Sequence, residues 1–139
     1  MSLPGGAGHF PQILFRRRDN SFHKLHTKGT VMGWNSQIEI SEETVDLESG
    51  DRLVLYTDGV TECKNRSGEM FTEERLKSLI AKNVALTAQG LSIQIIRNLV
   101  ELITPGPFQD DLTLITIDIN RRGVVKIYAP LTCFSLPAP

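Results

Sequence analysis

At 139 residues the chain has the length of one domain and enough residues to bury a core. Its 40% hydrophobic and 22% charged residues, with a formal net charge of -1, describe an ordinary soluble protein and argue against nucleic acid or an anionic membrane as partner. The basic run Arg16-Arg17-Arg18 passes straight into Asp19-Asn20, so it reads as a solvated hairpin end and not as a phosphate-backbone site.

No apolar run is long enough to cross a bilayer and the N-terminus lacks a secretion pattern, which predicts a cytoplasmic protein. Cys63 and Cys133 match neither a Cys-x-x-Cys pair nor a zinc spacing, so free thiols are expected. Residues 1–6 read as an expression scar and lead-in, with the natural chain expected to extend upstream.

In chain order, Gln12 to Arg16 predicts a strand, Asp19-Asn20 a turn, and Phe22 to His26 a second, edge strand completing a hairpin. The Lys28 to Trp34 loop is expected to fold over the core and plug it with Trp34. From Gln37 to Leu47, alternation of Ile38, Ile40, Val45 and Leu47 predicts a half-buried strand, interrupted near Ser41 to Glu43. The run from Arg52 to Thr57, apolar from Leu53 to Tyr56, suits a strand buried on both faces and lying next to it. Asp58-Gly59 follows directly, and Glu62 to Met70 reads as a polar surface loop.

Thr72 is expected to cap a helix with Leu76, Leu79, Ile80 and Val84 facing the core. Ser92 precedes a second, running to about Ile103, with Ile93, Ile96, Leu99, Val100 and Ile103 inward and Thr104-Pro105 as the stop. Asp111 to Ile119 is the clearest strand, Val124 to Tyr128 an edge strand, and the tail to Pro139 has no readable pattern. The fold class is therefore α+β, a mainly antiparallel sheet packed with two helices.

By itself Asp-Gly is an ordinary turn dipeptide. Asp58, however, ends one strand and Asp110-Asp111 begins another. Antiparallel pairing of the two would gather the carboxylates at one edge of the sheet, where a hard cation such as Mg²⁺ or Mn²⁺ finds oxygen ligands.

The stretches Leu55-Tyr56-Thr57-Asp58-Gly59-Val60-Thr61-Glu62 and Gln109-Asp110-Asp111-Leu112-Thr113 resemble the two C-terminal motifs of metal-dependent type 2C protein phosphatases, in particular the bacterial sporulation-phosphatase (SpoIIE) branch. Ala7-Gly8-His9, the Gly29 to Gly33 loop and Glu48-Ser49-Gly50-Asp51 resemble further segments of that branch, in the same order. The resemblance implies part of a type 2C-like β-sandwich over residues 7–119, with 120–139 as a tail. It implies Asp58 and Asp110 as metal ligands, with Gly59 and Asp111 in supporting positions, Glu62 and Thr61 at the rim, and two Mn²⁺ or Mg²⁺ ions in the complete domain. The implied substrate is a serine- or threonine-phosphorylated regulatory protein of a sigma-factor pathway, hydrolysed by direct attack of water without a phosphoenzyme.

The family's N-terminal Asp-x-x-Gly-His-Gly type motif does not occur here, so half of the metal cage is missing. This chain is therefore expected to bind metal weakly or not at all and to be inactive, or nearly so, alone. His9 is read as a structural turn histidine, and His23 and His26 as surface residues. A homodimer through an exposed sheet edge is a further expectation. A haloacid-dehalogenase-type site is disfavoured because Tyr56 cannot serve as the nucleophilic carboxylate that chemistry needs two residues before the second acid. The non-enzymatic alternative is a phosphatase-like regulatory or partner-binding module.

Overall fold

The computed structural model describes residues 12–25 and 42–128, with side chains described for 12–25 and 44–123. His9, His26, Trp34, Ile38, Ile40, Cys133 and the tail from residue 129 lie outside the described residues. β1 (Gln12–Arg16) and β2 (Ser21–Leu25) form the expected antiparallel hairpin, one residue earlier in its second arm. Its turn is fixed by Asp19, whose carboxylate accepts from the Ser21 N–H at 3.1 Å and hydroxyl at 2.5 Å, while Asn20 takes the left-handed conformation at φ 54.

β3 (Glu42–Leu47) is followed by β4 (Arg52–Tyr56) and by a single helical turn, α1 (Asp58–Thr61). Two helices, α2 (Thr72–Lys82) and α3 (Ala88–Ile103), precede β5 (Leu114–Asp118) and β6 (Gly123–Tyr128). The main sheet runs β2-β1-β4-β5 with every pairing antiparallel, and β3 pairs antiparallel with β6 in a second, two-stranded sheet.

β3 does not lie next to β4, contrary to the sequence expectation. Both edges of β4 are taken, by β1 and β5, so β3 has no ladder left to join there. The connection between them turns sharply: Gly50 sits at φ 95, the Asp51 N–H donates to the Glu48 carbonyl at 3.1 Å, and the Asp51 carboxylate accepts from the Glu48 N–H. The same carboxylate is buried against Arg16 at 2.6 Å, so the turn is anchored to β1.

Alternation along the strands separates two apolar faces. Ile13, Phe15, Val54 and Tyr56 point to the helices and pack with Leu76, Ile80, Leu91, Ile95 and Leu99, all essentially inaccessible to water. Leu14, Leu25 and Leu53 point the other way and meet Leu47 of β3. β4 is thus covered on both faces, as its unbroken apolar run requires.

α2 buries Leu76 and Ile80, with Leu79 and Val84 packed beside them, as its periodicity predicts. α3 departs from expectation in two respects. It begins one turn earlier, capped by Thr87, whose hydroxyl accepts the Gly90 N–H at 3.1 Å, so Ser92 lies inside it and donates to the Thr116 hydroxyl of β5 at 2.9 Å. Its inward stripe is Leu91, Ile95, Leu99 and Ile103, whereas Ile93 and Val100 are 47% and 43% exposed and Ile96 is 38% exposed. The apolar arc of the helix is broader than the stripe the sheet covers, so Leu91, Ile95, Leu99 and Ile103 are buried while Ile93, Ile96 and Val100 on the same arc stay exposed. Among the described residues no helix is long and apolar enough to cross a membrane.

Two charged knots tie the layers. Arg52 is buried, and its guanidinium donates to Asp118 Oδ1 at 2.6 Å and to the carbonyls of Asn83 and Leu86; Asp118 in turn accepts the Ala88 N–H at the start of α3. All three nitrogens of that guanidinium therefore donate to the α2–α3 connection or to β5. Glu73 of α2 bonds Lys24 of β2 at 2.9 Å, Lys77 at 3.1 Å and the Tyr56 hydroxyl at 3.2 Å. Burial pushes the Glu73 carboxyl up, but hydrogen bonds and charge from Lys24 and Lys77 outweigh it and hold the group below its ordinary value. The Tyr56 phenol is pushed above its ordinary value, first by burial and then by the negative charge of Glu73.

Two outcomes are expected. Ile95→Ala lowers stability by about 2–5 kcal/mol and Ile96→Ala by less than about 1 kcal/mol in urea unfolding; the reverse order would restore the other helix face. A depressed folded-state pKa means that Glu73 stabilises above its unfolded value and loses that contribution as pH falls through the folded one. Glu73→Gln should therefore cost about 0.5 kcal/mol near neutral pH, a small figure because the site is open to solvent, with the wild-type advantage disappearing in acid.

Candidate metal site at the ends of two paired strands

Pairing of Tyr56 with Leu114 brings the end of β4 opposite the beginning of β5. Beyond the last ladder pair the two chains stay together. The Thr57 N–H donates to the Thr113 carbonyl at 3.1 Å, and the Thr113 N–H donates to the Thr57 hydroxyl at 3.0 Å. Thr57 is extended (φ -92, ψ 163) and α1 starts at Asp58, so the backbone bends at the residue that carries the carboxylate. Val60 is fully buried and its N–H bonds the Thr57 carbonyl at 2.9 Å, which holds the turn against the core.

Gly59 makes the closest approach to the second acidic segment. A Cβ built there would collide with the Asp111 carbonyl oxygen and stand 3.2 Å from its carbon, so a side chain at this position forces the segments apart. Asp110 is held by its own neighbour, its carboxylate accepting the Asp111 N–H at 2.7 Å. Asp58, Asp110 and Asp111 are all exposed.

The structure thus places Asp58, Gly59, Asp110 and Asp111 at one end of the β4–β5 pair, in the arrangement that the sequence argument required of antiparallel neighbours. β5 itself begins only at Leu114, so the acids sit on the lead-in to the strand and not on its first residues. The contacts of Asp111 described here are those of its backbone. His23 is exposed and bonds the Ser21 hydroxyl at 3.1 Å, away from these residues in sequence and on the edge strand.

Thr57 and Gln109 escaped the sequence reading. The Gln109 side chain pairs with the backbone of Lys64 on both sides, accepting its N–H at 3.2 Å and donating to its carbonyl at 3.0 Å, as a neighbouring strand would. The segment after Asp58 is thereby fastened to the residue before Asp110. A side-chain amide that substitutes for backbone has no local sequence signature. Thr57 was legible in principle, because a threonine directly before a helical turn is a capping residue type.

Two exposed carboxylates beside a residue without a side chain form a hard-oxygen donor set compatible with Mg²⁺ or Mn²⁺. Among the described residues no cluster of three or more His, Cys, Asp or Glu is placed to hold a metal ion. The donor type fits such a cation, and any further ligands must come from water or from groups other than these.

Comparison with known proteins identifies the family and the fold. The sequence profile of the family described as Stage II sporulation protein E (SpoIIE) matches residues 5–120. The chain is 35% identical over 118 residues to the phosphoserine phosphatase RsbU of Bacillus subtilis, covering 85% of this chain and 34% of that protein. It is 27% identical over 114 residues to protein IcfG of Synechocystis sp., covering 82% of this chain and 18% of that one. In three dimensions it resembles the phosphatase domain of the cell fate determinant SpoIIE from Bacillus subtilis, with a TM-score of 0.54 and 19% identity over 82% of this chain and 50% of that domain's chain.

Gly59→Ala is expected to destabilise the chain by about 1–3 kcal/mol, because the added methyl must displace the Asp111 backbone, and to weaken Mn²⁺ binding in a titration. Unchanged unfolding and unchanged Mn²⁺ affinity would show that the two acidic segments do not depend on this contact.

Proposed function

Because this chain belongs to the Stage II sporulation protein E (SpoIIE) family, we propose that it supplies the acidic β4–β5 part of a metal-dependent protein phosphatase site acting in the cytoplasm. The substrate class is phosphoserine or phosphothreonine on a regulatory protein, of the kind found in sigma-factor pathways. The chain covers 34% of RsbU, itself a phosphoserine phosphatase, so that activity is carried over as a proposal. The observation that carries it is the register of β4 on β5, which sets Asp58 and Asp110 at the same end of one strand pair with Gly59 against Asp111 between them.

In this reading Asp58 and Asp110 hold Mn²⁺ or Mg²⁺. The bound cation supplies Lewis-acid charge that offsets the phosphoryl oxygens and acidifies a water molecule. Thr57 fixes the distance between the two acidic segments through its paired bonds to Thr113, and Gly59 allows the approach. The Asp111 N–H orients the Asp110 carboxylate, the outer-sphere role that keeps a ligand aimed.

Two carboxylates leave most of an octahedral oxygen shell to water, so affinity is low and the ions are not held in fixed geometry. The chain alone is accordingly proposed to be inactive or nearly so. With Mn²⁺ present it should hydrolyse p-nitrophenyl phosphate no faster than its Asp58→Ala variant; activity that this substitution abolishes would refute the claim of incompleteness. In a Mn²⁺ titration Asp58→Asn should lower affinity by at least about tenfold, the loss typical of removing even an outer-sphere partner. Equal affinity would remove Asp58 as a ligand, and absence of any binding would favour the non-catalytic module.

A further inference from the structure

The segment that follows the acidic turn is a small hairpin built to keep its shape. Residues 63–71 fold back through the Phe71 N–H to Cys63 carbonyl bond at 2.8 Å and the Lys64–Met70 bridge. The tip is organised by Asn65, whose carboxamide oxygen accepts the Ser67 N–H at 3.1 Å and the Glu69 N–H at 2.9 Å. Cys63 and Phe71 anchor the base in the core. Between this hairpin and the Phe108 to Asp110 segment lies a cleft of about 560 Å³, a size typical of ligand sites, and Gly59 and Asp110 of the acidic site line it as well.

The chemistry of the walls is divided. Asp110 and Glu62 contribute carboxylates, whereas the hairpin contributes the exposed cations Lys64 and Arg66, neither of which pairs with a carboxylate among the described residues. Arg75, close by in sequence, is already engaged by Glu69. Met70 and Phe108, the latter 39% exposed, add apolar surface. A wall with two unengaged cations beside exposed apolar groups complements an extended segment carrying a carboxylate and an apolar side chain.

We propose that this cleft is the recognition surface for the residues flanking the phosphorylated side chain, and that it selects segments with a carboxylate close to the phosphoserine. The proposal rests on the phosphatase reading of the Asp58–Asp110 site and adds to it the class of sequence preferred. The hairpin fixes the backbone from which Lys64 and Arg66 extend before the segment arrives, so the ordering cost on the protein side is confined to those two side chains.

The test is fluorescence anisotropy on the 139-residue chain with Mn²⁺, using fluorescein-labelled phosphoserine peptides that contain a leucine and two glutamates, and counterparts with both glutamates replaced by alanine. Two solvent-exposed ion pairs predict about a five- to tenfold preference for the glutamate peptide, diminishing as salt is raised. Lys64→Gln/Arg66→Gln should remove the preference and Lys64→Glu/Arg66→Glu reverse it, while Arg97→Glu on the exterior of α3 leaves it unchanged. Equal affinity of wild type for both peptides, no binding of either, or a preference that survives in the double variants overturns the proposal. The unphosphorylated glutamate peptide separates the two readings: if it binds as tightly as the phosphorylated one with the glutamate preference intact, the cleft's selectivity is upheld and the phosphate reading of the acidic site fails.

Discussion

The antiparallel contact between β4 and β5 is the constraint on which the rest of the molecule depends. It is secured at both ends by different means. At one end the buried Arg52 bonds Asp118 and the carbonyls of Asn83 and Leu86, and Asp118 caps the first free N–H of α3. At the other, Thr57 and Thr113 exchange a backbone and a side-chain hydrogen bond just before the chain turns at Asp58. A slip of one residue would reverse the faces of Leu53, Val54 and Ile117 and break both closures together, so the position of the carboxylates is inherited from the packing of the core.

The two ends divide the work. The Arg52 end is internally satisfied: among the described side chains no buried polar atom lacks a partner. Such an arginine holds geometry, with four of its N–H groups committed to Asp118 and the carbonyls of Asn83 and Leu86. The Asp58 end is open, with its acids exposed and its backbone tightly determined, which is how a site can be accessible and still well placed. Between them, Tyr56 and Glu73 link the strand to α2 and β2 through a charged contact beneath the acidic turn.

Local patterns were enough for much of this. The unbroken run Leu53 to Tyr56 announced a strand covered on both faces, Asp19-Asn20 announced the hairpin, and alternation within Asp111 to Ile119 announced a further strand, of which Leu114 to Asp118 forms β5. Together they were enough to bring Asp58 and Asp110 to one end of the sheet. What failed was non-local. β3 could not be assigned a neighbour without knowing that β1 and β5 already occupy β4. On α3, Ser92 and Thr87 are both plausible capping types by sequence, and an apolar arc wider than the covered stripe leaves open which of its edges is buried. Gln109 could not be found because its amide replaces a strand's backbone, a role that depends on the partner segment being present.

The hairpin of residues 63–71 also bears on how such a protein changes over generations. Its turn is closed by Asn65 within its own nine residues, and it meets the acidic site through one glutamine side chain. Substitutions at its tip can therefore alter charge and shape beside the site without shifting the strands that set the carboxylates. Placement of the carboxylates and the charge beside them are then separable traits: one fixed by a strand pair locked into the core, the other by a hairpin tip whose residues are exposed.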